Sequence, residues 1–159
     1  MRVLVIGIGN PGRTDDGLGP ALVEAVESWS LPGIKTTINY QLNIEDAADV
    51  AESDLVIFVD ASVKAGAPFD FYQAAAAAKS RFTTHAMEPE SVLALCRQVY
   101  HKEPPAFILG VRGESFELAE GISEPGKKHC QQAERFLRDL LNSDSLLERC
   151  RQKAAERRS

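Results

Sequence analysis

Three side chains in this sequence could together do metal chemistry: Asp16, Asp60 and His85. Two carboxylates and one imidazole offer the oxygen and nitrogen donors that suit nickel, zinc, iron or manganese. Three protein ligands leave coordination positions open, as a catalytic or exchanging site requires. Their separations of 44 and 25 residues form no local motif, so the set exists only if the fold assembles it. Each residue also has a plainer use. Asp15 or Asp16 could cap the helix that begins near Gly17, where the helix dipole favours negative charge. Asp60 could cap a turn through Ser62, and His85 could be an ordinary surface or packed histidine. His101 falls at a helix C-terminus, which suits a cation, and His129 in a Lys-rich helical turn that favours solvation. Nucleophilic catalysis finds no support, because the chain has no Gly-x-Ser-x-Gly and no Cys–His pair with usable spacing.

The elements around these residues read as alternating strands and helices. Arg2–Ile8 reads as a buried strand, whose apolar run Val3–Ile6 leads into Gly7, Gly9 and Gly12 and then the two acids. Residues 18–29 carry Leu18, Leu22, Ala25, Val26 and Trp29 at helical spacing. Ile34–Tyr40 alternates and is β-branched, as a second strand should be. Asn43 is placed to cap a short helix. Asp54–Asp60 is a third buried strand, Phe69–Tyr72 a short edge strand, and Ala106–Val111 a further buried strand. The alanine run 74–79 fits helix or loop equally. Glu88–Tyr100 reads as a helix with Val92, Leu93, Cys96 and Val99 on one face, and Ser123–Leu141 as a long helix with Ala133, Phe136, Leu137, Leu140 and Leu141 buried. Residues 1–142 are expected to form one α/β domain. Residues 143–159 are expected as a charged C-terminal helix, frayed at the surface, or a flexible tail. Such alternation implies a three-layer α/β fold with a mostly parallel sheet. Asp16 would follow the first strand and Asp60 would end the third, on the carboxyl edge where such folds place their ligands.

Bulk properties narrow the classes. At 159 residues with a net charge of −5, the chain can bury a core without disulfides, and its charge argues against nucleic acid as a partner. Three cysteines, Cys96, Cys130 and Cys150, without a Cys-x-x-Cys, point to a reducing compartment. Residues 2–8 are too short for a signal core or a membrane span, so a cytoplasmic protein with no membrane partner is expected. Gly7-Ile8-Gly9-Asn10-Pro11-Gly12 matches Gly-x-Gly-x-x-Gly literally. A dinucleotide site needs helix amides at the third glycine and an acid roughly 20 residues on. Here Pro11 removes an amide, Asp15 and Asp16 repel phosphate, and Ile34–Tyr40 offers no acid. No nucleotide cofactor is expected.

GIGNPGRTDDGLGPALVEAV resembles the opening of the hydrogenase maturation proteases: a glycine-asparagine turn, a few variable residues, then acid-acid-Gly-x-Gly and a helix. DLVIFVDAS (54–62) is similar to that family's third strand with its terminal aspartate. THAMEPESVLAL (84–95) is similar to its His-bearing helix start, and LGVRGESFELAE (109–120) with Gly121-Ile122-Ser123 to its last strand and the lead into the final helix. All four blocks keep their order over residues 2–140. The resemblance implies a phosphorylase/hydrolase-like α/β/α sandwich with a mixed, mostly parallel sheet of about five strands. It implies an endopeptidase that removes the C-terminal extension from the [NiFe] hydrogenase large subunit precursor after nickel insertion. Asp16, Asp60 and His85 would be both the catalytic and the metal-contacting residues. The nickel would come with the substrate, as a checkpoint against unmetallated precursor. A cytoplasmic monomer with no resident metal is implied. Where many members carry an Asp-Gly-Gly-Thr-like segment, this chain reads Ile38-Asn39-Tyr40-Gln41-Leu42, so no role passes to that aspartate. This version, with THAMEP and Pro104-Pro105, resembles members serving cytoplasmic, cofactor-coupled hydrogenases.

Two other readings share part of the pattern. Peptidyl-tRNA hydrolase also opens on a strand and Gly-x-Gly-Asn-Pro-Gly, but its histidine should follow within several residues, and here none precedes His85. A chaperone-like binder of hydrogenase precursors would share every recognition residue without cutting.

Overall fold

The computed structural model describes residues 1–77 and 87–157. Its centre is a five-stranded sheet: β1 (Val3–Ile8), β2 (Ile34–Asn39), β3 (Leu55–Ser62), β4 (Phe69–Ala74) and β5 (Ala106–Arg112), in the order β2-β1-β3-β5-β4. All neighbours pair in parallel except β4, which runs antiparallel to β5 with Phe69 opposite Val111. β1, β3 and β5 read as unbroken apolar runs because helices cover both faces. The period of two divides each run between two cores. Val3, Val5, Leu55, Ile57, Val59, Phe107 and Leu109 face α1 (Leu18–Ser28), α4 (Glu124–Leu141) and α5 (Leu146–Glu156). Leu4, Ile6, Ile8, Val56, Phe58 and Ile108 face α2 (Asp46–Ala51) and α3 (Pro89–Tyr100). The fold is therefore a three-layer α/β/α sandwich, as expected from the alternation of elements. No helix among the described residues is long and apolar enough to cross a membrane.

Several local expectations are revised. Asn43 does not cap α2, whose first residue is Asp46. Instead its side-chain oxygen accepts from the Glu45 amide at 3.1 Å, one turn earlier. Val99 is 55% exposed, and the buried residues of α3 end at Cys96. His129 is half-buried, with Nδ1 2.9 Å from the Arg112 carbonyl oxygen, a contact that needs the proton on Nδ1. Of the alanine run, Ala74 ends β4, residues 75–77 are irregular, and the rest lies outside the described residues.

The charged segment after residue 142 is neither frayed nor a tail over most of its length. α5 inserts Leu146 and Cys150 into the core shared with α1 and α4, and Ala154 packs behind them. These residues recur every four positions, one face of a helix. A leucine so buried contributes about 1.5–3 kcal/mol, enough to order a short helix that charge density alone would leave in solvent. α5 lies against the edge strand β4 and ends beside the site described next, where Arg157 lines the same cleft as Asp60.

Candidate functional site

Asp16 owes its position to the turn that follows β1. Gly9 takes φ +145°, a conformation open to glycine, and a side chain there would strike the backbone carbonyl of Asp16. The turn is closed by the Arg13 amide donating to the Asn10 carbonyl at 3.0 Å and by the Gly12 amide donating to the Asn10 side chain at 2.9 Å. A single 3-10 turn, Thr14–Gly17, then precedes α1. Successive residues of such a turn point about 120° apart, so Asp15 and Asp16 face different parts of the molecule. Neither caps α1, whose N-cap is Gly17 without a side-chain bond.

Asp15 faces inward and is fully buried. Its Oδ1 accepts from the Ser123 amide at 2.8 Å. Its Oδ2 accepts from the Glu114 amide at 2.8 Å, the Ser115 amide at 3.2 Å and the Ser123 hydroxyl at 2.6 Å. Gly126 lets α4 approach this close: a Cβ there would lie 2.8 Å from Asp15 Oδ1. Thr14 adds to the seam, its hydroxyl donating to the Ser115 carbonyl at 2.6 Å and its amide to the Ala119 carbonyl at 2.8 Å. The β1–α1 turn is thereby fastened to the β5–α4 loop. Burial alone would raise the Asp15 pKa, but the Ser123 hydroxyl and the amides of Glu114, Ser123 and Ser115 together hold it below its ordinary value.

Asp16 faces the carboxyl edge of the sheet. Its Oδ2 accepts from the Asn10 amide at 2.8 Å, which leaves Oδ1 with no protein donor among the described residues. Asp60 occupies the same edge because β1 and β3 run parallel, with Gly7 beside Val59. Its Oδ1 accepts from its neighbour's amide, Ala61, at 2.8 Å, rather than capping a turn through Ser62. Ser62 Oγ instead accepts from the Lys64 amide at 3.1 Å. The Asp60 carboxyl is pushed up to about 7. Burial is the main cause, the Ala61 amide opposes it, and the negative charges of Asp16 and Glu88 add to it.

Asp60 lies in a cleft of about 380 Å³ that runs toward β4. Tyr72 and Asp70 come from β4, Glu88 and Glu90 from the start of α3, and Arg157 from the end of α5. Asp16 is not among the described residues lining it. His85, the third expected ligand, lies outside the described residues, four positions before Pro89 opens α3. Among the described residues no three His, Cys, Asp or Glu side chains are grouped closely enough to hold a metal ion. The structure thus brings Asp16 and Asp60 together. Glu88 and Arg157 are additions that sequence reasoning missed. Glu88 was legible only as the residue before a helix-starting proline, and Arg157 meets its partners Tyr72 and Asp70 85 and 87 residues upstream, so no local signal existed.

The glycine turn differs from a dinucleotide-binding turn in where its helix starts. Helix α1 opens at Leu18 rather than at Gly12, and the two acids occupy the intervening turn.

No protein-family model and no curated protein matches the sequence. Solved structures do match. The hydrogenase maturating endopeptidase HybD from E. coli superposes with a TM-score of 0.73 at 23% identity, over 91% of this chain and 94% of that one. The [NiFe] hydrogenase maturation protease HycI from Thermococcus kodakarensis gives 0.70 at 22% identity, over 89% and 93%. The hydrogenase 2 maturation peptidase from a Thaumarchaeota archaeon gives 0.64 at 22% identity, over 89% and 99%. The chain has the fold of these three proteins along most of its length. A shared fold does not by itself carry function; the site must.

Proposed function

We propose that this chain is an endopeptidase that trims the C-terminal extension from a [NiFe] hydrogenase large subunit precursor after nickel has been inserted. The observation that carries the reading is the pair Asp16 and Asp60. The two acids stand at one sheet edge, each with one oxygen held by a backbone amide and the other turned to no protein donor among the described residues. Like charges so placed favour a cation between them. The fold around them is the one carried by solved hydrogenase maturation proteases.

Nickel enters as part of the substrate, already held by the precursor's own groups. Asp16, Asp60 and His85 are assigned to engage it there, and a precursor without nickel offers no such contact. The held oxygens fix the carboxylates in orientation, so the free oxygens meet the metal without reorganisation. The bond broken is an amide. Its cleavage needs water added at the carbonyl carbon and a proton delivered to the leaving nitrogen. The metal can polarise the carbonyl or acidify the water. Where the nickel only positions the chain, one of the two aspartates would take the proton from that water as general base.

Asp16→Asn and Asp60→Asn separate recognition from chemistry when precursor binding and precursor cleavage are measured on the same samples. Under this reading both variants lose cleavage. A variant that binds and cuts like the unaltered protein removes that residue from the assignment.

A further inference from the structure

The cleft beside Asp60 is acidic, with Asp60, Asp70, Glu88 and Glu90 on its walls, yet Arg157 lines it as well. Arg157 follows α5 directly. Its Nη2 lies 2.7 Å from Asp70 Oδ2, and its guanidinium carbon sits 4.0 Å from the centre of the Tyr72 ring. A guanidinium is planar and carries five donors. Here one nitrogen is paired with a carboxylate and one flat face lies against an aromatic ring, while the remaining side-chain donors have no protein acceptor among the described residues. Lys64, the other basic residue of the cleft, is exposed, and its ammonium has no protein partner among the described residues. Arg157 is therefore the preorganised cation, and a preorganised guanidinium edge matches a carboxylate in two parallel hydrogen bonds.

We propose that Arg157 is a specificity-determining residue that receives a carboxylate of the bound polypeptide, fixing the chain in the cleft with its reacting bond toward Asp60. As an assignment of substrate contact it rests on the peptidase reading; as a carboxylate site it stands alone. The carboxylate can be the polypeptide's free C-terminus or an Asp or Glu side chain. α5 then has a use beyond core packing, since it carries this group to the cleft. The Asp70 pair and the Tyr72 ring together hold the guanidinium in place.

The first arm needs no hydrogenase. Nitrogen-15 spectra of the protein resolve arginine Nε–H signals, and Arg157→Gln identifies the one from Arg157. The protein is titrated with N-acetyl-triglycine, with its C-terminal amide, and with N-acetyl-glutamic acid α-amide. A saturable shift of the Arg157 signal with one or both carboxylates, and none with the neutral amide, is expected. The compound that gives it identifies the source of the carboxylate. No saturable shift, or an equal shift with the neutral amide, overturns the proposal.

The second arm measures precursor processing. Arg157→Gln is expected to raise KM about tenfold with kcat unchanged, the loss of one charge-assisted contact. Arg157→Lys should recover part of this. Circular dichroism of each variant establishes that α5 remains folded. Unchanged KM in a folded Arg157→Gln variant removes the residue from substrate contact. A nitrogen-15 response without any precursor cleavage by the unaltered protein would retain the carboxylate site and overturn the hydrogenase reading instead.

Discussion

Replacing Asp60 by Asn should make the free protein more stable, and only where the carboxyl would otherwise ionise. In the folded chain this group titrates at about 7, while an unfolded aspartate titrates at about 3.9. Between these values the native state keeps a proton that the unfolded state has released. Stability therefore falls as pH rises through that window and reaches its full deficit above the folded pKa. A difference of roughly three pK units corresponds to at most about 4 kcal/mol. Solvent screening at this half-buried position reduces that to about 1–3 kcal/mol. For a chain of this size the gain corresponds to a rise in Tm of about 2–10 °C. The amide oxygen of Asn can still accept from the Ala61 amide, so the geometry is kept. Urea unfolding of both proteins at pH 4 and pH 8 checks this: equal stability at pH 4, and a more stable Asp60→Asn variant at pH 8. Equal stability at both pH values, or a less stable variant at pH 8, would refute the claim that Asp60 is held as a strained acid.

Asp15→Asn should act in the opposite sense, because an amide cannot accept from all four donors around that carboxyl. A loss of about 2–4 kcal/mol in urea unfolding is expected. The Asp15 contribution is present above the unfolded pKa and is lost as pH falls through its lowered folded value, so the variant should also flatten the acid limb of the stability curve. Gly126→Ala would press a Cβ to 2.8 Å from Asp15 Oδ1 and 3.0 Å from Ile122 Cγ2, and should cost about 1–3 kcal/mol by the same assay. Burial raises the Cys130 thiol to about 11, with the Glu134 charge adding, and the Cys150 thiol to about 12. Both should therefore react with a disulfide reagent at pH 7.5 only after denaturant is added; rapid reaction in native buffer would contradict their placement.

The sheet was legible because β1, β3 and β5 are buried on both faces and show it as unbroken apolar runs, with β-branched β2 beside them. The sequence could not separate Asp15 from Asp16. They are adjacent, both suit a helix start, and the partners that bury Asp15 lie about 100 residues downstream at Glu114, Ser115 and Ser123. The helix α5 was legible as one of two alternatives, but its burial was not. Leu146, Cys150 and Ala154 do carry a helical period, but charged residues such as Glu148, Arg149, Arg151 and Lys153 stand between them. Asp60 was legible from its place at the end of an apolar run. Its raised pKa was not, since that depends first on burial by elements distant in sequence, with the charges of Asp16 and Glu88 adding to it.

A processing assay tests most directly the proposal that the acid pair acts on a nickel-bearing precursor. Purified protein should be mixed with nickel-loaded and nickel-free large-subunit precursor from the same cell, and the mass of the precursor followed over time. Loss of a C-terminal peptide is expected from the nickel-loaded precursor alone, and none with the Asp16→Asn variant. Equal cleavage of both precursors would contradict the metal checkpoint. Binding without cleavage of either would contradict the peptidase itself and leave a chaperone-like binder in its place.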